Sequence, residues 1–320
     1  MNDIQAPGTG PARTKWAGAM ASERILILDG AIGTMLQARG LTEDDFRAGE
    51  LAACPVELRG NNECLNLTRP DVVRAVHEAY IDAGADIITT NTFGANRIVQ
   101  HDYACSDLAD RMALEGARLA RAAADAAGRP VLVAGSVGPT SKSLTLSPSA
   151  DDPTVRTVSF DEMAAAYAGQ MRALLQGGVD LLLLETCFDA LNVKAALYAL
   201  TALTDDPARR AELHLTQRFG PDALPPVIVS ATVSDRSGRT LTGQTLEAFY
   251  VAVNHYPLAA FGLNCSLGAD EMYPLVREVG GFARCPVSCH PNAGLPDGMG
   301  GYGETPQAMA RAMGRMAADG

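Results

Sequence analysis

Gln176–Glu185 reads QGGVDLLLLE, and the order of those residues decides the fold. A glycine closes a helix, because the residue past a helix end commonly takes φ > 0, where a Cβ is penalised. Asp180 then opens four consecutive leucines, a run of strand length that is apolar on both faces, as a strand of a covered parallel sheet must be. Glu185 ends the run on a carboxylate. The same signals recur in DAGADIITT, Asp82–Thr90, where Gly84 and Asp86 stand as Gly178 and Asp180 do.

Working outward, the chain repeats this grammar. Short runs rich in Val, Ile and Leu occur at 25–28, 86–90, 131–135, 180–184, 227–231, 259–263 and 286–290. Segments of helical periodicity fall at about 70–83, 106–127, 160–177, 189–203, 245–254, 270–280 and 305–319. Strands alternating with helices predict βα units on a parallel sheet. A chain of 320 residues suits one (β/α) barrel, which typically takes about 250. RMAADG at 315–320 repeats the glycine signal, so Gly320 stands where an eighth strand would begin. The expected fold is an α/β, TIM-type (β/α)8 barrel that lacks its eighth strand and helix. Residues 1–22 read as a flexible leader, and 23–320 as a C-terminally incomplete barrel domain.

Composition narrows the function. The formal net charge is −11 with no block of Lys or Arg, which argues against a nucleic-acid or anionic-membrane surface. Seven scattered cysteines, an odd number in a long chain, do not look like a disulfide framework, and a reducing cytoplasm is expected. The leader has no continuous apolar core for a signal peptide, and no run approaches the roughly 20 residues of a membrane span.

In such a fold, chemistry belongs at the carboxyl ends of the strands. Those ends carry Asp29-Gly30, Asn91, Glu185-Thr186-Cys187, Asn264-Cys265 and His290. Asp29 before glycine, taken alone, reads first as a turn residue. Glu185 is more telling, since a carboxylate closing an apolar strand must face a mouth or find a partner. Cys265 alone reads first as a small buried hydrophobe, and His290 is open between structural and functional roles. His77, His101, His214 and His255 read as core or surface residues, and Cys54, Cys64 and Cys105 carry no motif.

Taken together, ERILILDGAIGTMLQARGL (23–41), RGNNECLNLTRPDVVRAVHEAYIDAGADIITTNTF (59–93), GSVGPT (135–140), LLLLETCFDALNVKAAL (181–197), GRTLTGQTLEAF (238–249), FGLNCSLG (261–268) and HPNAGLP (290–296) resemble the homocysteine-binding domain of cobalamin-dependent methionine synthase, in the family of homocysteine S-methyltransferases. The resemblance implies zinc held by three thiolates, one of them Cys265 and the others an adjacent pair in a GGCC motif absent from this sequence, and hence expected beyond Gly320. It implies that Asp29 and Glu185, with backbone around Gly30, hold the amino-acid end of homocysteine, with Asn91 and Asn264 lining the same mouth. The methyl donor it implies is methylcobalamin on another module, recharged from a folate-binding module. The alternatives are a truncated or split chain acting as a substrate-binding component without autonomous activity, and a betaine- or S-methylmethionine-dependent enzyme. Zinc would serve a clear need, since a thiol of pKa near 8.5 is only about 3% thiolate at pH 7. A different zinc site is also conceivable from Cys265 and Cys289 with Cys187 or His290, because alternation puts Cys285, Val287 and Cys289 on one strand face.

Overall fold

The computed structural model describes residues 11–20, 24–221, 223–294 and 303–319. Most of the segment expected as a leader, along with Gly320, lies outside them. The chain is α/β, with strands β1 (Ile87–Thr89), β2 (Leu132–Val137), β3 (Leu181–Cys187), β4 (Val227–Ala231), β5 (Ala260–Gly268) and β6 (Val287–Asn292) in one sheet, ordered as in the sequence. The pairs β1–β2, β4–β5 and β5–β6 run parallel, and consecutive parallel neighbours require a crossover, which the helices supply. Seven helices fall where they were expected, each within a few residues of its expected bounds: α1 (Pro70–Asp82), α2 (Ala109–Ala126), α3 (Phe160–Gly177), α4 (Ala190–Asp205), α5 (Leu246–Val253), α6 (Ala269–Phe282) and α7 (Pro306–Ala318). No helix among the described residues is long and apolar enough to cross a membrane.

Contacts divide the chain into two compact units. Unit 1 comprises residues 1–142, 158–183 and 195–226, and unit 2 comprises 143–157, 184–194 and 227–320.

In unit 1 the two glycine-to-aspartate junctions behave alike. Gly84 and Gly178 take φ of 103° and 97°, as the helix ends require. The buried Asp180 carboxylate accepts the Val133 amide at 2.9 Å and Arg121 at 2.7 Å. Asp86 accepts the Ile27 amide at 3.0 Å and a bidentate Arg24 at 2.8 Å. Each aspartate thus replaces a ladder bond at the start of its strand while an arginine neutralises it. This also explains a departure from expectation. The run Ile25–Leu28 makes only an isolated bridge, Leu28 to Ile87, because the Asp86 carboxylate takes the Ile27 amide that would extend the ladder. Ile25 and Ile27 remain 60% and 55% exposed, so apolar character alone did not make a strand there. Within the segment expected as a leader, Pro11–Met20 is helical and lies against the helix Leu215–Phe219. Ser159 and Glu162 form a reciprocal capping box that starts α3, which ends on Gly178.

In unit 2 the core gathers between α5, α6 and β5. Phe261 on β5 meets Phe249 and Tyr250 of α5 at ring separations of 6.4 and 5.1 Å. Strands β5 and β6 approach so closely that a Cβ on Gly262 would stand 1.9 Å from the Ser288 carbonyl oxygen, and glycine is therefore required at that position. Residues 143–157 are fastened to the start of α4. Asp189 accepts from the Ser143 hydroxyl at 2.5 Å, the Thr145 hydroxyl at 2.7 Å and the Thr145 amide at 3.0 Å.

Candidate functional site

In unit 2, Glu185, Asn264 and Cys265 come together at the carboxyl ends of β3 and β5. The register of β5 against β6 runs from Asn264–His290 to Gly268–Asn292, four steps on β5 against two on β6. The surplus residues bulge out of the ladder. Within the bulge Cys265 and Ser266 take φ of 64° and 67°, left-handed values that side chains disfavour. Cys265 is consequently exposed although Asn264 and Leu267 on either side are buried. The first reading of Cys265 alone, as a buried hydrophobe, does not hold, because the bulge turns the thiol outward.

Beside it the end of β3 is strained. Thr186 has φ 55°, an uncommon conformation for a β-branched residue. Asn264 holds it there. The Asn264 amide oxygen accepts from the Thr186 backbone N–H at 2.8 Å and from the Ser230 hydroxyl of β4 at 2.6 Å, and its Nδ2 donates to Thr186 Oγ1 at 2.8 Å. Three strand ends are thereby locked around the residue that follows Glu185. Glu185 is half-buried, and burial together with the Glu185 charge pushes the neighbouring Cys187 thiol far up, so Cys187 stays protonated.

The alternative zinc site through Cys289 is not formed. Cys289 Sγ lies 3.5 Å from the Met272 sulfur of α6 and 3.8 Å from the Met316 sulfur of α7, and burial pushes its thiol up to about 12. Cys289 therefore faces the sulfurs of α6 and α7, while Val287 on the same strand is 38% exposed. No group of three His, Cys, Asp or Glu able to hold a metal occurs among the described residues. A zinc site needs at least three protein ligands, and the described donors near Cys265 do not fit one by themselves.

In unit 1, Asp29 is buried, and its carboxylate accepts the Thr89 amide at 2.7 Å and the Thr89 hydroxyl at 3.1 Å. Gly30 lies under Tyr80, whose hydroxyl oxygen would stand 2.7 Å from any added Cβ. Burial, and then the charge of Asp29, raises the Tyr80 phenol to about 12, which keeps it a proton donor; it donates to the Ala31 carbonyl at 3.2 Å. Asn91 belongs to a buried amide network. Its Nδ2 donates to the Asn62 carbonyl at 2.8 Å and to Asn66 Oδ1 at 2.9 Å, while Asn66 donates to the Asn91 carbonyl at 2.7 Å. Close by, Asn61 and Gln100 exchange side-chain hydrogen bonds at 2.8 and 3.1 Å, and the buried Glu63 accepts the Gly94 amide at 2.7 Å. Burial raises the Glu63 carboxyl above its ordinary range.

Sequence reasoning placed Thr186 at a strand end without giving it a role, and it missed Ser230, Thr89 and Tyr80, none of which has a local signal. The clustered amides of Asn61, Asn62 and Asn66 in RGNNECLN were a signal for the network around Asn91. His77 is fully buried in the core, as its reading as a core or surface residue allowed.

A family model described as homocysteine S-methyltransferase matches residues 26–320. Among solved structures, the metallated form of the homocysteine methyltransferase MmuM from Escherichia coli is 24% identical, with a TM-score of 0.66 over 93% of this chain and 92% of that one. The oxidised form is 22% identical, with a TM-score of 0.70 over 96% and 92%. The apo form is 23% identical, with a TM-score of 0.63 over 96% and 91%. At these identities the likeness shows a shared fold.

Proposed function

Because the chain belongs to the homocysteine S-methyltransferase family, we propose that it binds homocysteine and that its reaction moves a methyl group onto the homocysteine sulfur, giving methionine. The observation that carries this reading is the exposed Cys265 thiol, lifted out of β5 by a bulge beside the Asn264 and Thr186 lock that ends at Glu185. A soft thiol at the end of β5 and a half-buried carboxylate at the end of β3 suit a substrate with a sulfur at one end and an ammonium at the other. We assign Glu185 to the ammonium, Cys265 to the sulfur end as one ligand of the zinc on which the family generally depends, and Asn264 to the same mouth. Asp29, Gly30 and Asn91 are assigned to the amino-acid end on the sequence resemblance alone. The remaining metal ligands are not supplied by the described residues, and binding and orientation of homocysteine fall to the chain's own groups.

For the donor we favour methylcobalamin, with cobalamin- and folate-binding modules as partners in a cytoplasmic enzyme. The segments 40–69 and GRTLTGQTLEAF support that branch. A second reading, a small sulfonium or ammonium donor such as S-methylmethionine or betaine, is favoured by one observation: the chain spans 92% of a solved homocysteine methyltransferase. The full chain, supplied with zinc and homocysteine, should be offered methylcobalamin, S-methylmethionine and betaine in turn, with methionine measured by mass spectrometry. Methionine from methylcobalamin and none from the others is expected. Turnover with S-methylmethionine or betaine would move the chain to the second reading. Methionine from none of the three, with homocysteine bound, would contradict a methyl-transfer role.

A further inference from the structure

Within unit 1 the side chain of Asn91 is held in one orientation, and the acceptors around it decide which. Asn66, on the short helix Leu65–Thr68, donates its Nδ2 hydrogens to main-chain carbonyls, that of Asn91 at 2.7 Å and that of Met112 on α2 at 2.9 Å. A carbonyl only accepts, so the Asn66 amide cannot be turned over, and its Oδ1 is left as an acceptor. Asn91 gives that oxygen one Nδ2 hydrogen at 2.9 Å and the Asn62 carbonyl the other at 2.8 Å. Turned the other way, Asn91 would set its own oxygen against two acceptors. Helix α2 admits this arrangement as well as holding it: Asn66 is 3% exposed, and a Cβ on Gly116 would stand 2.6 Å from its Nδ2.

The network thus consumes both donors of the Asn91 amide and leaves its Oδ1 facing away. That oxygen has no hydrogen-bond partner among the described residues, and unlike the Gln170 side-chain oxygen it is not sealed from solvent. An acceptor left open on a residue only 5% exposed, at the carboxyl end of β1, is a place for a ligand donor, since buried polar atoms are otherwise paired. Its chemistry selects the group. A carbonyl oxygen accepts from an N–H and repels a carboxylate, so of the two polar ends of an amino acid it suits the ammonium.

We propose that Asn91 Oδ1 accepts a hydrogen bond from the ammonium of homocysteine and that Asn66 is the positioning residue that aims it. The inference rests on the proposed substrate and deepens it, giving Asn91 a stated atom and a stated partner. An ammonium carries three N–H donors, so one such bond leaves others for a carboxylate.

The test is titration of the full chain and three variants with homocysteine and with its deamino analogue, a mercaptobutanoate that keeps the thiol and carboxylate and lacks the ammonium. Asn91→Ala removes the accepting oxygen. Asn66→Ala removes the hold, and Gly116→Ala disturbs it from α2, where alanine also favours the helix. Circular dichroism identifies the folded variants, and because the three act from separate elements, one that folds suffices. Each should bind homocysteine about tenfold more weakly, the order of one hydrogen bond to a charged group, and bind the analogue as the native chain does. A merely structural role would weaken both ligands alike. That result, or unchanged homocysteine affinity in folded Asn91→Ala or Asn66→Ala, would overturn the proposal while native binding of homocysteine kept the proposed substrate standing. A native chain that binds neither ligand would refute the substrate reading and this proposal with it.

Discussion

Asn264→Ala should cost about 3 kcal/mol of folding stability, a figure that can be worked bond by bond. The substitution removes three hydrogen bonds: the two that Asn264 Oδ1 accepts from Thr186 N–H and Ser230 Oγ, and the one its Nδ2 gives Thr186 Oγ1. At about 0.5–1.5 kcal/mol net for each, the loss is roughly 1.5–4.5 kcal/mol, and the upper half applies because Ser230 and Asn264 are buried and water cannot readily replace them. Thr186 sits at φ 55°, a conformation of order 1–3 kcal/mol above an ordinary one, and it persists only while neighbours enforce it. Thr186→Gly removes both that strain and one of the three bonds, so Asn264→Ala in that background should cost about 1–2 kcal/mol less than in the native chain. Urea unfolding of the four proteins, followed by circular dichroism with the slope compared across the set, measures both quantities. A single-substitution loss below about 1 kcal/mol, or additivity within roughly 0.5 kcal/mol, would refute the claim that Asn264 holds the Thr186 turn.

Gly262→Ala should leave little soluble folded protein, because its Cβ would lie 1.9 Å from a backbone oxygen of β6, while Gly280→Ala, with nothing within 4 Å, should fold normally; expression and melting curves distinguish them. His77 is buried with neither ring nitrogen partnered, and burial lowers its pKa to about 4 from 6.5. The unfolded chain therefore takes the proton first, and stability should fall as pH drops from about 6.5 towards 4, by about 3 kcal/mol once below both values; in His77→Leu that part of the pH dependence should vanish when unfolding is compared at pH 7 and pH 4.5. Asp189→Ala strips the acceptors that fasten Ser143 and Thr145, so limited proteolysis should cut within residues 143–157 faster than in the native chain.

Local signals carried most of the architecture. Gly178 with Asp180, and Gly84 with Asp86, marked helix ends and strand starts correctly because both signals act within a few residues. The run at Ile25–Leu28 failed as a full strand because its fate depends on Asp86, some sixty residues away, whose carboxylate occupies the ladder position. The site was legible as a set of strand ends and illegible in its mechanics. The bulge that exposes Cys265 is a mismatch of register between β5 and β6, and neither strand encodes it alone. The grip of Asn264 on Thr186 joins residues 78 apart, and Ser230 enters it from a third strand.

Calorimetric titration of L-homocysteine into the full chain decides whether Glu185 and Cys265 hold the substrate, run on the native protein and on Glu185→Gln and Cys265→Ser after each is shown to be folded. Saturable binding at one site per chain is expected. Glu185→Gln should weaken it by roughly 1.5–3 kcal/mol, a loss of about tenfold or more, because a charge is removed from an ammonium contact. Cys265→Ser should weaken homocysteine while leaving an analogue without sulfur, such as norleucine, unaffected. No binding by the native chain, or the same homocysteine affinity in all three proteins, would contradict the assignment of Glu185 and Cys265 to the substrate.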